Sequence, residues 1–152
     1  MKIIFDMDNT IADLYSVDNW LEKLRASDPT PYIEATPMWN MEILNQLLEM
    51  LKAQGHEIIV VTWLSKNSTE EYKDAVREAK QEWLAEQCFP YNRFHGVQYG
   101  ATKADSIRKY MNPDEEAILI DDNAKVRNGW HLGRAIDPTD IDIIQFLESL
   151  LG

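Results

Sequence analysis

Short runs of apolar residues alternate along the chain with longer segments in which apolar positions recur at helical spacing. Continuous apolar runs are typical of strands that are covered on both faces, as in a parallel sheet. The runs predict strands at residues 3–5, 57–61, 94–99 and 117–120, with a brief fifth strand at 135–136.

The segments between these runs predict five helices. Thr36 before Pro37, and Ser68 with Glu71 three residues later, are N-cap signatures. The helices are expected over 11–24, from Pro37 to Gly55, from Ser68 to Cys88, from Thr102 to Tyr110, and from Thr139 or Asp140 to Leu151.

The long helix after Ser68 has a buried stripe, made by Tyr72, Val76, Ala79 and Trp83. Strand and helix alternate throughout the chain, which predicts a mainly parallel sheet with helices on both faces. The chain has 152 residues and no internal repeat, so we expect a single α/β domain over residues 1–152.

The charge of the chain limits its partners. The formal net charge is −11, which disfavours extended binding to the phosphate backbone of a nucleic acid. A small phosphate ligand is still compatible with this charge, because a bound metal ion can reverse the local field.

The cysteine content and the lengths of the apolar runs favour a location in the cytoplasm. Cys88 is the only cysteine, which excludes an intrachain disulfide and favours a reducing environment. The chain enters a strand at once instead of a signal peptide, and no apolar run reaches the length of a membrane span. We therefore expect a cytoplasmic protein with no membrane partner. The three histidines lack the spacing of metal ligands.

Two carboxylates follow the first predicted strand directly. Asp6 and Asp8 are two residues apart, so on an extended backbone both side chains point to the same side. Their charges repel each other, and burying them without a partner is costly. A hard divalent cation such as Mg2+ is the natural partner for this pair.

The other strand ends also carry polar side chains. Thr62 follows the second strand, Lys103 begins the helix after the third, and Asp121 and Asp122 follow the fourth. A lysine at a helix N-terminus opposes the helix dipole, so an anionic ligand explains its place. Ligands of parallel α/β sheets bind beyond the carboxyl ends of the strands, where these groups meet.

The order of these residues resembles the four motifs of the haloacid dehalogenase superfamily of phosphatases. The motifs are Asp-x-Asp-x-Thr at 6–10, then Thr62, then Lys103, then Asp121-Asp122. The resemblance implies a Rossmann-like, doubly wound and mainly parallel sheet with the first strand at its centre. It also implies a Mg2+-dependent phosphomonoester hydrolase that forms a phosphoaspartate intermediate.

The resemblance assigns a role to each catalytic candidate. Asp6 is the nucleophile, and Asp8 protonates the leaving oxygen and later activates water. Thr62 hydrogen-bonds a phosphoryl oxygen, while Lys103 pairs with the phosphate and with the nucleophile. Asn9 stands where many family members carry glycine, and asparagine tolerates the left-handed backbone expected there.

The resemblance also implies a metal site. Mg2+ is expected to be held by the Asp6 carboxylate, the Asp8 backbone carbonyl and the pair Asp121/Asp122, with Asp122 favoured as the direct ligand of that pair. Thr10 is expected to orient the acids and the turn after them, and it is also counted among the substrate-binding candidates.

Substrate choice is expected to depend on a small insertion. Residues 14–37 have room for one helix and a loop, so the chain resembles the minimal-cap members of the superfamily with an open site. Tyr32, Trp63 and Lys66 join Thr10 as candidate substrate contacts. Tyr15 and Trp20 also lie near the expected mouth, although packing of the insertion on the core would equally explain the aromatic residues. Lys66 and Arg25 are candidates for a second anion contact.

The residues around 121–133 resemble nucleotidase-like and polynucleotide-end phosphatases. Together with the negative charge, this favours a nucleotide or a similar small phosphate as substrate. The alternatives are a polynucleotide-end phosphatase, a phosphoprotein phosphatase, a sugar phosphatase or a catalytically weak binding protein with this fold. A weak binding protein would be expected to have lost Asp6 or Asp8.

A receiver domain of two-component signalling uses similar residues in another order. Its acid pair follows the first strand and its lysine follows the last. Here Lys103 precedes Asp121 and Asp122, so the order excludes a receiver domain.

Overall fold

A five-stranded parallel sheet forms the centre of the computed structural model, which describes residues 1–66 and 68–152. The strands are β1 (Lys2–Phe5), β2 (Ala12–Asp13), β3 (Thr36–Pro37), β4 (Glu57–Trp63), β5 (Arg93–Val97), β6 (Ala117–Ile120) and β7 (Ala135–Ile136). The helices are α1 (Trp20–Arg25), α2 (Thr30–Glu34), α3 (Met41–Ala53), α4 (Glu70–Glu86), α5 (Lys103–Arg108), α6 (Ala124–Asn128) and α7 (Ile143–Ser149).

The strand order of this sheet is β5-β4-β1-β6-β7, and each neighbouring pair is parallel. Strand β1 lies at the centre, as predicted, and Phe5 is paired with Val60 on one side and with Ile120 on the other. The residues after these three positions therefore reach the same edge of the sheet. The predicted α/β class with a mainly parallel Rossmann-like sheet is confirmed.

Both faces of the sheet are covered, which explains the continuous apolar runs. Alternate residues of β1 separate to the two faces, with Ile3 and Phe5 in one apolar cluster and Ile4 in another. The first cluster includes side chains of α3, α4 and α7, and the second includes Ala104 and Ile107 of α5. None of the described helices is both long and apolar enough to span a bilayer.

The helix predicted over 11–24 is wrong. Ala12 and Asp13 pair with Pro37 and Thr36 as the antiparallel strands β2 and β3, and only Trp20–Arg25 of this region is α-helical. This long-range backbone pairing overrides the local apolar spacing. It also removes Thr36 and Pro37 from the start of α3.

Three predicted N-caps are wrong by one to four residues. The side chains that accept the first helical N–H groups are Asn40 for α3, Thr69 for α4 and Asp142 for α7. The predicted caps Ser68 and Thr139 instead form local hydrogen bonds, with Lys66 O and with the Asp137 carboxylate. Candidate cap residues cluster before each helix, so backbone direction decides among them.

The smaller elements follow the predictions unevenly. Strands β6 and β7 have the predicted bounds, while β5 ends at Val97 instead of Tyr99 and α5 ends at Arg108 instead of Tyr110. Helix α6 was not predicted. The segment 14–37 contains a short 3-10 helix at Leu14–Ser16 followed by α1, α2 and β3.

Candidate active site

The predicted catalytic residues come together at the carboxyl edge of the sheet. Asp6 directly follows β1, and its backbone N–H donates to Ile120 O at 3.0 Å, which ties it to the end of β6. Thr62 lies near the end of β4 on the other side of β1, and Asp121 follows β6. The three neighbouring strands thus deliver their polar residues to one space.

A tight loop after β1 turns the chain back over this edge. The N–H groups of Thr10, Ile11 and Ala12 all point at Met7 O, at 3.0, 2.9 and 3.1 Å. Asn9 has a φ of +62°, so the expected left-handed backbone at this position is confirmed.

Lys103 joins the ends of β1 and β6. Its buried ammonium donates to Asp6 Oδ1 at 2.8 Å and to Asp121 Oδ2 at 2.7 Å. Burial alone would lower the pKa of Lys103, but the charges of Asp6 and Asp121 outweigh burial and raise it. The lysine is therefore a stable cation beside the predicted nucleophile.

Thr10 forms hydrogen bonds with both Asp6 and Asp122. Its side chain is fully buried, and Oγ1 donates to Asp6 Oδ2 at 3.1 Å and accepts from the N–H of Asp122 at 3.3 Å. Unlike Thr62 and Lys103, Thr10 does not line the cavity at this edge of the sheet. The substrate-binding role predicted for Thr10 is therefore replaced by the orienting role that was predicted beside it.

Three carboxylates form an acidic cluster suited to a cation. One oxygen from each of Asp6, Asp121 and Asp122 lies within 4.8 Å of the others. Burial, followed by the charge of Asp6, raises the pKa of Asp121 to about 6 and that of Asp122 to about 7. The raised values express mutual repulsion and desolvation, which a hard divalent cation would relieve.

The two members of the acid pair have different surroundings. Lys103 donates to Asp121 Oδ2 and the N–H of Asn123 donates to Asp121 Oδ1 at 2.9 Å, so both Asp121 oxygens already accept hydrogen bonds. The Asp122 carboxylate is more exposed than that of Asp121 and interacts with the Asp6 carboxylate. Asp121 thus holds Lys103, and the expectation that Asp122 is the direct metal ligand of the pair stays a prediction.

Asp8 does not belong to this three-carboxylate cluster, although it lines the same cavity. Its carboxylate accepts a hydrogen bond from Lys80 Nζ at 3.0 Å. Burial raises the pKa of Asp8 although the charge of Lys80 acts in the opposite direction. The metal ligand expected at Asp8 is its backbone carbonyl, and this stays a prediction.

No protein-family model matches the chain, and no curated protein matches it. Solved structures do match. One is a chain of the Pnkp1/Rnl/Hen1 RNA repair complex, with a TM-score of 0.61 and 19% identity over 90% of this chain and 42% of that one. Another is D,D-heptose 1,7-bisphosphate phosphatase from Burkholderia thailandensis, with a TM-score of 0.56 and 13% identity over 99% of this chain and 98% of that one.

The chain has the haloacid dehalogenase fold. At 19% and 13% identity these similarities concern the fold alone. The chain spans less than half of the RNA-repair chain but nearly all of the heptose bisphosphate phosphatase. The haloacid dehalogenase fold therefore accounts for the whole described chain.

A cavity of about 710 Å³ opens above the carboxyl edge of the sheet in this haloacid dehalogenase fold. Its walls include two aromatic pairs, Tyr15 with Trp20 and Trp63 with Tyr99, whose ring centroids are 4.5 and 5.0 Å apart. Tyr15 and Tyr99 are about half exposed. Aromatic side chains with free faces suit a planar ligand.

The predicted substrate contacts occupy different parts of the cavity. Trp63 is partly buried and its Nε1 donates to Ala101 O at 2.9 Å, while the exposed Lys66 lies 5.6 Å from the centre of the Tyr99 ring. Tyr32 is only 6% exposed and packs in the cluster formed with α4, but it also lines the cavity, so its contact with a substrate stays a prediction. Tyr99 was not among the candidates.

Lys80 is the main site residue that the sequence analysis missed. It lies on the buried face of α4, four residues after Val76 and three before Trp83. A lysine within an apolar stripe requires a buried partner, which is a signal that the spacing contained. The partners, Asp8 and Thr62, are distant in sequence and could not be deduced from α4 alone.

Proposed function

We propose that the protein is a Mg2+-dependent phosphomonoester hydrolase in which Asp6 is the nucleophile. The observation that carries the proposal is the buried Lys103 ammonium, which bridges Asp6 and Asp121 at the edge where the acidic cluster lies. A cation in this position orients a carboxylate and attracts a phosphoryl group at the same time. The haloacid dehalogenase fold of solved phosphatases is consistent with this chemistry.

In the first step, an Asp6 oxygen attacks the phosphorus and forms an acyl phosphate, while the bond from phosphorus to the leaving oxygen breaks. Lys103 and Thr10 hold one oxygen each of the Asp6 carboxylate, which limits its rotation. Asp8 gives its proton to the leaving oxygen. The raised pKa of Asp8 favours the protonated form that this step requires.

In the second step, a water molecule attacks the phosphorus of the acyl phosphate. Asp8, now ionised, accepts a proton from that water. The bond between phosphorus and the Asp6 oxygen breaks, which regenerates the carboxylate and releases inorganic phosphate. Asp8 ends the cycle protonated.

The charges of the site fit a divalent metal. The site contains four carboxylates and two buried ammonium groups, so two negative charges have no partner when all groups are ionised. The carboxylates are Asp6, Asp8, Asp121 and Asp122, and the ammonium groups are Lys80 and Lys103. Asp6 and Asp122 would hold Mg2+, with Asp121 beside them. When bound, the metal supplies positive charge to the phosphoryl oxygens.

A nucleotide is the substrate that the cavity supports best. The phosphate would lie against Thr62 and Lys103, and the exposed aromatic rings of Tyr15 and Tyr99 would contact the base. The cavity volume of about 710 Å³ is in the range of small-molecule sites. Lys66 on the cavity wall adds a second positive group for an anionic ligand.

A polynucleotide end is the second candidate substrate. One solved neighbour belongs to an RNA repair complex, and an open cavity could admit a terminal phosphate. The net charge of −11 opposes a long nucleic-acid chain, so we rank this substrate below a mononucleotide. Phosphopeptides, sugar phosphates and a purely binding role rank lower.

The proposal is tested by phosphate release from a panel of nucleoside monophosphates, sugar phosphates, a phosphopeptide and a 3′-phosphorylated oligonucleotide, with and without Mg2+. We expect Mg2+-dependent turnover that is abolished by chelation. The control is Asp6→Asn, which keeps the shape of the side chain. The nucleophile lies elsewhere if this variant keeps more than about a tenth of the rate, a barrier change below roughly 1.4 kcal/mol.

A further inference from the structure

We propose that Lys80 is a positioning residue that holds the Asp8 carboxylate and the Thr62 hydroxyl in their working orientations. The inference rests on the proposed function, in which Asp8 transfers protons and Thr62 binds a phosphoryl oxygen. Lys80 comes from α4, a helix that contributes none of the four motif residues. It therefore links the helical layer to two motifs at the edge of the sheet.

The ammonium of Lys80 has a complete set of partners. It donates to Asp8 Oδ2 at 3.0 Å, to Thr62 Oγ1 at 2.7 Å and to Trp63 O at 2.9 Å. An ammonium group has three N–H donors, so each donor has one acceptor. Three bonds in different directions leave the head group of a fully buried side chain no alternative orientation.

The stability of the fold gives a poor reason for a lysine at this position. The neighbouring positions on the same face of α4 are Val76 and Trp83, and an apolar residue would continue their stripe. Taking an ammonium and a carboxylate out of water costs several kcal/mol per ion, and their attraction often only balances that cost. The partners of Lys80 are the proposed catalytic groups, which gives the lysine a functional reason.

The contact with Lys80 also sets the direction of the Thr62 hydroxyl. Because Thr62 Oγ1 accepts from Lys80, its own proton is free to donate. The internal acceptor near it, Trp63 O, is 3.5 Å away, which is too long for a strong hydrogen bond. A phosphoryl oxygen in the cavity is a better acceptor for this proton.

Tyr32 closes the other side of the ammonium. Lys80 Nζ lies 5.0 Å from the centre of the Tyr32 ring, within the range of a cation–π contact. Tyr32 belongs to α2, so the small insertion covers Lys80 and keeps it away from water. This explains why Tyr32 is buried instead of exposed at the cavity mouth.

A lysine that acts through Asp8 has a distinct kinetic signature. Proton donation matters for a leaving group that departs as an unstable alkoxide, but little for nitrophenolate, which departs as a stable anion. The value of kcat/KM reports only the steps up to formation of the acyl phosphate, so the later role of Asp8 as a base does not enter. The decrease in kcat/KM caused by removing Lys80 should therefore depend strongly on the leaving group.

The experiment measures kcat/KM of Lys80→Met with Mg2+ on benzyl phosphate and on 4-nitrophenyl phosphate. We expect a loss of at least about 100-fold on benzyl phosphate and of about tenfold or less on 4-nitrophenyl phosphate, since general acid catalysis contributes about 10² to 10⁴. The smaller loss reflects the Thr62 contact, which both substrates share. Lys80→Gln, which keeps a neutral donor, is measured in parallel in case Lys80→Met does not fold.

The matched control is Lys73→Met, which removes a lysine from the same helix but away from the cavity. It should change neither value. In an Asp8→Asn background, Lys80→Met should alter the ratio of the two values by less than about twofold, because the two residues act as one unit.

Equal losses on both substrates in a folded Lys80 variant would overturn the inference and assign Lys80 a structural role only. A wild-type protein that hydrolyses neither substrate would instead contradict the proposed function. The two failures are therefore distinguishable by the wild-type rates alone.

Discussion

The hydroxyl of Thr10 holds the Asp6 side chain and the Asp122 backbone together, by one hydrogen bond donated to Asp6 Oδ2 and one accepted from the Asp122 N–H. The first and the fourth motif are thus joined by a single buried group. Thr10→Val should lower the free energy of unfolding by about 1 to 3 kcal/mol, because the partly buried N–H of Asp122 loses its acceptor. It should also lower kcat. Thr10→Ser should restore both quantities, as measured by denaturant unfolding and phosphate release; a stable and fully active Thr10→Val would contradict this account.

The stability that the Asp121/Asp122 pair contributes to the metal-free protein should fall as the pH rises from about 4 to about 7. The pKa values of Asp121 and Asp122 are raised from 3.8 to about 6 and about 7, so the folded state binds more protons than the unfolded state in this window. Stability contributed by protonation is complete below the unfolded pKa and disappears as the pH passes the folded pKa. Melting curves in chelator across this range test the sign.

Added Mg2+ should reverse this trend. A divalent cation binds the ionised carboxylates and competes with protons, so its effect on Tm should be larger at about pH 8 than at about pH 5. The measurement needs no substrate and therefore tests the metal site independently of catalysis. A Tm that does not respond to Mg2+ at either pH would exclude a Mg2+ site formed by these residues.

Asp121 and Asp122 should respond differently to the same substitution. Asp121→Asn breaks the ion pair with Lys103, so the metal-free protein should melt at a lower temperature. Asp122→Asn removes a charge that repels Asp6, so the metal-free protein should melt at a higher temperature and lose most of its response to Mg2+. Melting curves of both variants with chelator and with Mg2+ give the comparison. The same response of both variants would remove the distinction between orienting and coordinating roles.

Alanine substitutions at Tyr99 and Tyr32 should distinguish a role in substrate recognition from a role in packing. Tyr99 is 49% exposed on the cavity wall, so Tyr99→Ala should have the same Tm as the wild-type protein. Its kcat/KM should fall for a nucleotide and change little for a small aryl phosphate. Tyr32→Ala removes a buried ring against α4, so it should lower the free energy of unfolding by about 3 to 5 kcal/mol and reduce the activity on both substrates. If Tyr99→Ala is equally active on both substrates, the aromatic wall does not select the nucleotide.

Asp6 and Asp121 could be predicted because each directly follows a buried strand, and Thr62 because it lies near the end of another. Apolar runs mark such strands locally, and parallel pairing then brings their ends to one edge without further information. Predicting that Asp6 and Asp121 lie at the same edge of the sheet required only the order of the strands. The left-handed turn at Asn9 was likewise a local property of its residue type.

The remaining features depend on contacts between distant parts of the chain. The pairing of 12–13 with 36–37 overrides a helical apolar pattern, and no property of either segment alone indicates the other. Lys80 lies 72 residues from its partner Asp8, so only the packing of α4 on the sheet edge brings the two together. Burial of Tyr32 depends on that same packing.

The central position of β1 has a consequence for the order in which the protein acquires activity. During synthesis β1 is made first, yet its neighbour β6 is completed only when residue 120 has been added. Pairing over such a separation closes a long loop, and contacts of this kind form slowly. Asp6 therefore lacks the acidic pair Asp121/Asp122 in every nascent chain that ends before residue 121. A ribosome-bound chain should gain hydrolytic competence in one late event.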